Sequence, residues 1–191
     1  MEIYDGFETV KQKLIIAGMQ EIENHGITDF SLRRVASACN VSCAAPYKHF
    51  KDKEHFIIEI TNYIHKQWSS LAKQVLSIFE DAPLKELTEI CVAYIKFWIA
   101  NPRFRSVLML SSDSLGEEYR EILSAHSDYT AKIIESCLEK LGFKDDVLKQ
   151  KEYIIRSMLY GTTHMFDTAE LENGEETIKM IKDSLRMIVT Q

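Results

Sequence analysis

Between Ser31 and Lys53 the chain carries five basic side chains, Arg33, Arg34, Lys48, Lys51 and Lys53, against one acid, Asp52. Such a cluster, interleaved with Tyr47 and His49, is suited to holding anions rather than making bonds, because its donors match phosphate oxygens. Residues 1–30 carry two lysines against six acids, and residues 54–191 carry 16 basic against 22 acidic side chains, so a window of net +4 sits in a chain of net −6. A local positive face on an acidic molecule fits one dedicated anion-binding surface. Arg33 and Arg34 fall in the first turn of a short helix, where the helix dipole disfavours cations by roughly a few tenths of a kcal/mol each. Lys53 repeats this at the start of a long helix. Free backbone N–H groups beside a cation make a phosphate clamp, which assigns Lys53 to a nucleic-acid backbone.

Other chemistries find no support in the residues. No GxSxG, HExxH, P-loop or dinucleotide glycine pattern occurs, and the six histidines share no ligand spacing with a carboxylate. Cys39, Cys43, Cys91 and Cys137 lack paired CxxC spacing, so the expectation is small buried thiols with neither a zinc site nor a disulfide framework. No metal and no cofactor is expected, and an enzyme built on a histidine remains only the weakest alternative.

The elements that must position the basic window are helices. Seven glycines and three prolines in 191 residues, with 46% hydrophobic residues, predict an all-α chain of about nine helices with a substantial core. Leu14, Ile15, Gly18, Met19 and Ile22 recur at helical spacing until Gly26, a candidate left-handed cap. Ser31 can cap a short helix with Leu32, Val35, Ala36 and Cys39 inside, ended by Asn40 at positive φ. Ser42 can cap a second short helix to about His49, and Asp52 a long one from Lys53 to about Phe79. Two short helices joined by a tight turn make a helix-turn-helix at about 31–50. Pro83 and Pro102 open further helices, Asn101-Pro102 is a break, and helices near 114–141, 145–170 and 175–190 complete the chain.

The stretch Gly26 to Glu54, GITDFSLRRVASACNVSCAAPYKHFKDKE, resembles the TetR family of bacterial transcriptional regulators. The shared pattern is a glycine ending the first helix, then S-L-R-x-V-A, N-V-S and Y-x-H-F-x-x-K-E. The resemblance implies a DNA-binding domain at 1–52 and an effector-binding and dimerisation domain at 53–191. It implies that the helix from Ser42 enters the major groove with Ala44 and Ala45 nearest the bases, Tyr47 and His49 at phosphates, and Lys48 at phosphate or base. Because Ala44 and Ala45 make no bidentate hydrogen bonds, readout is expected from Arg34, Lys48, Ser42 and backbone groups, with Ser31, Arg33 and Lys53 completing the contact set. Cys43 stands where the family often has a long basic or polar residue, and Pro46 lies where it should weaken the helix.

On the last two helices, Ile154, Met158 and Met165, and Ile178, Ile181, Leu185 and Ile188, form apolar stripes. The family pattern implies that such helices pair with their copies in a twofold homodimer on a quasi-palindromic operator. Trp68, Tyr94, Trp98, Met109, His126, Tyr129, Tyr160 and His164 are the candidate lining of a cavity for a hydrophobic or aromatic effector, still unidentified. A repressor released by that effector is the leading reading, and control by a protein partner is the alternative. The N-terminus lacks a signal-like stretch and no segment is apolar enough to span a membrane, so a cytoplasmic protein without membrane partners is expected.

Overall fold

Thr9 sets the first helix. Its hydroxyl accepts the Gln12 N–H at 3.3 Å while the Gln12 side chain accepts the Thr9 N–H at 2.9 Å, a reciprocal cap opening α1 (Val10–His25). The computed structural model describes residues 9–108 and 116–190. α1 closes at Gly26, whose N–H reaches Ile22 O at 2.8 Å. Its φ is positive as expected, but φ 69° with ψ 173° is an extended conformation open mainly to glycine, not a left-handed helical cap. α2 (Leu32–Ala38) starts where Ser31 accepts the Arg34 N–H and is followed by Asn40 at φ 55°.

The expected helix from Ser42 to His49 does not form. The chain makes a turn and then one 3-10 turn, Pro46–Lys48. Pro46 has no N–H to donate to Ser42 O, the bond that would close the first α turn. Ala45 and His49 instead reach back three residues, to Ser42 O and Pro46 O, each at 2.9 Å. It is therefore the backbone carbonyl of Ser42, not its hydroxyl, that is used here. Asp52 then caps α3 (Lys53–Ile78) through the His55 N–H at 2.8 Å.

Five helices follow: α4 (Pro83–Ala100), α5 (Pro102–Leu108), α6 (Glu117–Lys140), α7 (Asp145–Asp167) and α8 (Glu175–Thr190). The described residues thus hold eight α-helices and one 3-10 turn, and the element missing from the expected nine is the one Pro46 prevents. None of these helices is long and apolar enough to cross a membrane.

The chain forms two compact units. The first is Met1–His65 with Arg103–Leu123, so it extends past residue 52. Its core gathers Leu14 and Met19 of α1, Val35 and Ala36 of α2, Phe50, and Phe56, Ile57 and Ile60 of α3. Phe50 and Phe56 meet edge to face at 4.3 Å, a geometry worth about 1 kcal/mol beyond burial. At Gly18 of α1 a β-carbon would lie 2.2 Å from Phe56 Cε1 and 3.1 Å from Ile60 Cδ1 of α3.

The second unit is Lys66–Pro102 with Ser124–Gln191. Here α4 packs on α7 and α8, and α7 on α8. Leu87, Ile95, Leu138, Ile155, Leu159 and Leu185 fill the core, and buried Glu86 binds Lys140 through both carboxylate oxygens at 2.8 and 2.9 Å. Cys91 and Cys137 are buried here as expected, and burial, with Glu86 nearby, pushes the Cys137 thiol up to about 12. Cys39 is only half-buried and Cys43 is exposed, contrary to the expectation for those two.

Candidate nucleic-acid interface

The first unit presents an exposed stretch after α2, Ser42, Cys43, Ala44, Tyr47, Lys48, His49 and Lys51, broken by half-buried Ala45 and buried Pro46 and Phe50. The 3-10 turn fixes this run, because buried Pro46 and Phe50 anchor it from inside while Tyr47 and Lys48 between them point outward. Ala45 is half-buried and Arg33, on α2, is exposed. Arg33, Lys48 and Lys51 form no ion pair with any described residue, so their charges are available to an outside anion. His55 accepts the Lys51 backbone N–H at its Nδ1, 3.1 Å away, which steadies the end of the run.

Three of the expected contact residues have work inside the unit. Arg34 donates from Nε to Glu21 Oε1 at 2.6 Å and from Nη2 to the same carboxylate at 2.5 Å, and also bonds Asp29 O. The hydrogen bond to the Glu21 carboxylate raises the guanidinium pKa further, so Arg34 stays charged, but that charge is already matched. Ser31 spends its hydroxyl as the cap of α2. Lys53 is half-buried, donates to Ile27 O at 2.5 Å and lies 5.7 Å over the Phe30 ring.

The residue that sequence reasoning missed is Glu21. It is buried at 7% exposure and gathers the Arg34 guanidinium, the Ser31 N–H at 3.2 Å and His25 Nδ1 at 3.3 Å. It thereby ties the end of α1 to the start of α2. Its position in the run Gln20 to Asn24 reads as a solvated face, and although His25 is one helical turn away, the Ser31 and Arg34 partners that bury it lie 10 and 13 residues along the chain, so no local pattern marks it.

In the second unit the structure gathers part of the expected aromatic set. Trp68 donates to Thr130 Oγ1 at 3.1 Å and meets Tyr94 edge-on at 5.2 Å. Tyr94 meets Trp98 at 5.8 Å and Tyr160 at 6.4 Å, and burial is the main force raising its phenol pKa. His126 is half-buried, and Tyr129 lines an open groove of about 500 Å³ with Leu76, Ile133 and Ser136. His164 is exposed, and Met109 lies outside the described residues.

Of the expected interface stripe, Ile154 and Met165 are exposed and Met158, Ile178 and Ile188 are half-buried. Ile181 and Leu185 are 1% and 0% exposed in the single protomer, so they belong to its own core. Beside them, Met180 and Met187 of α8 and Tyr153 of α7 stand exposed, and nothing lies within 4 Å of a β-carbon placed on Gly161. α7 and α8 thus each carry exposed apolar side chains, and Gly161 on α7 has open space around it.

An all-helical chain whose basic, outward-facing turn follows a short capped helix, the whole braced on α1 and α3, is a helix-turn-helix DNA-binding protein. Residues 14–60 match the bacterial regulatory proteins of the tetR family. A relative, the HTH-type transcriptional regulator AcrR of Shigella flexneri, is 22% identical over 157 residues, covering 78% of this chain and 73% of that one. A tetR-family regulatory protein from Rhodococcus RHA1 superposes with TM-score 0.76 at 17% identity, covering 96% of this chain and 97% of its own. The TetR-family regulator PfmR from Thermus thermophilus does so with TM-score 0.74 at 19% identity, with the same coverage. Residues 14–60 thus carry a tetR-family DNA-binding region, in a chain whose fold is that of tetR-family transcriptional regulators.

Proposed function

We propose that this chain is a repressor which binds a quasi-palindromic operator as a twofold homodimer and leaves it when a small, largely apolar molecule binds the C-terminal part. Residues 1–52 carry DNA recognition and residues 53–191 carry effector binding and dimerisation. The protein acts by binding and not by catalysis, in the cell interior where its DNA lies. The observation that carries this reading is the exposed run with Arg33, Lys48 and Lys51 unpaired among the described residues, on a chain that is acidic elsewhere. Arg33, Lys48 and His49, with Tyr47, are the phosphate contacts; Ser42, Ala44 and Ala45 face the bases. Arg34, Ser31 and Lys53 act by holding the geometry of the unit.

The dimer reading is supported by the outward apolar surface of α7 and α8, with Ile154, Met158, Met165, Met180 and Met187 as its body. The effector reading is supported by the aromatic cluster of Trp68, Tyr94, Trp98 and Tyr160. Release requires the effector to bind the DNA-incompetent arrangement more tightly than the competent one.

The test is fluorescence anisotropy on the DNA upstream of the protein's own gene, across a salt series. Saturable binding that falls steeply with salt, and that an Arg33→Ala, Lys48→Ala double variant weakens at least tenfold with a shallower salt slope, supports the reading. Binding that is absent, or indifferent to both salt and the double variant, defeats it.

A further inference from the structure

Arg156 on α7 has an unusual set of partners. Its Nη1 donates to Glu152 Oε1 at 3.0 Å, while Nη2 donates to Ser127 Oγ of α6 at 2.7 Å and lies 3.5 Å from Tyr160 OH. Its Nε is buried and donates to no described residue. The Nε and Nη2 groups form the edge of a guanidinium that takes a carboxylate through two parallel hydrogen bonds. In this protein that edge faces only two neutral hydroxyls, which lie 3.4 Å from each other.

Both hydroxyls accept from Arg156 and they hydrogen-bond to each other, so one O–H is used between them and the other is left to donate outward. The edge therefore holds one N–H, on Nε, and one hydroxyl O–H with no acceptor among the described residues, and no anion stands beside them. Leaving a charged donor buried without an acceptor carries a penalty that an incoming carboxylate would remove. Beside this edge Tyr160 meets Tyr94, and Tyr94 meets Trp68 and Trp98, so a wall of flat apolar rings adjoins the donors. Arg156 keeps 29% of its side chain exposed and Tyr160 is 47% exposed, so a ligand can approach the group from outside and reach the buried Nε by displacing the Tyr160 hydroxyl.

We infer that the Nε/Nη2 edge of Arg156, with Ser127 and Tyr160, is a carboxylate-binding site, and that the effector is a monocarboxylate carrying an aromatic or aliphatic apolar body. The inference rests on the effector reading above and narrows it to one chemical class. Glu152 stands as the built-in competitor on the far side of the guanidinium, holding part of its charge until the ligand arrives.

The experiment is isothermal titration of the full-length protein with 4-phenylbutyrate and decanoate, each paired with its neutral amide. The expected result is that each acid binds at least tenfold more tightly than its amide, and that Arg156→Gln abolishes this difference without weakening the amide. Glu152→Gln should tighten the acids, because it frees guanidinium charge; a purely structural Arg156–Glu152 pair would give the opposite. Acid and amide binding alike, acid binding unchanged in Arg156→Gln, weaker acid binding in Glu152→Gln, or no binding of either acid at millimolar concentration overturns the proposal. So does dissociation of the dimer in Arg156→Gln with no change in acid binding, which would make a second copy the partner of Arg156. Anisotropy on the upstream DNA separates the two readings. An amide that displaces DNA while its acid does not sinks the carboxylate site alone, whereas an acid that binds but never displaces DNA sinks the effector reading.

Discussion

Glu21 and Arg34 show how a side chain that looks made for DNA can be occupied at home. The carboxylate is buried and holds both a guanidinium and the Ser31 N–H, so removing it strands two donors in the joint between α1 and α2. Glu21→Ala is expected to lower the melting temperature by roughly 2–6 °C and to weaken operator binding through the displaced α2, as read by thermal denaturation alongside anisotropy. Cys43 poses the converse case, an exposed thiol in the run proposed to meet DNA, while burial raises the pKa of the Cys91 and Cys137 thiols. Brief treatment of the native protein with N-ethylmaleimide should label Cys43 first, as located by peptide mass spectrometry. The labelled protein should lose DNA binding, and Cys43→Ser should be immune. Equal labelling of Cys91 would contradict its burial.

Among the elements, the 3-10 turn Pro46–Lys48 is where physical chemistry and family pattern part company. Pro46→Ala restores the N–H that Ser42 O lacks, so residues 43–49 should move towards α-helical carbon chemical shifts, and operator affinity should change at least threefold. Shifts left as they are would mean that the Phe50 anchor, not the proline, sets the turn. Most helix ends were legible because their causes are local: Ser31 caps α2, Asp52 caps α3, Asn40 takes positive φ, and Pro102 separates α4 from α5. α8 likewise runs from Glu175 to Thr190, as its spacing predicts. What was not legible depends on partners far along the chain. The inward turn of Ile181 and Leu185 is set by packing on α4 and α7, and a stripe at helical spacing is the same whether it faces a copy or a core. The clustering of Tyr160 with Tyr94 and Arg156 across α4 and α7 is of the same kind.

At the scale of the whole molecule, the outward surface of α7 and α8 makes its prediction at Gly161. Open space surrounds that position in the protomer, so Gly161→Ala should keep or raise the melting temperature, consistent with the roughly 1 kcal/mol helix preference of alanine. Gly161→Arg should leave the circular dichroism of the helices intact yet yield a monomer by sedimentation, with operator affinity falling as the twofold pairing of heads is lost. A dimer that tolerates arginine there would move the interface elsewhere. Gly18 sets a different limit, because a β-carbon at that position meets the Phe56 ring and the end of Ile60. A change at position 18 therefore calls for a change at 56: Gly18→Ala should lower the melting temperature, and Phe56→Leu in the same chain should recover part of the loss, as read by thermal denaturation. For anyone retargeting the regulator by transplanting a DNA-reading head from a relative, the splice belongs beyond Ile60, since a seam at residue 52 would marry a foreign α1 to the wrong ring.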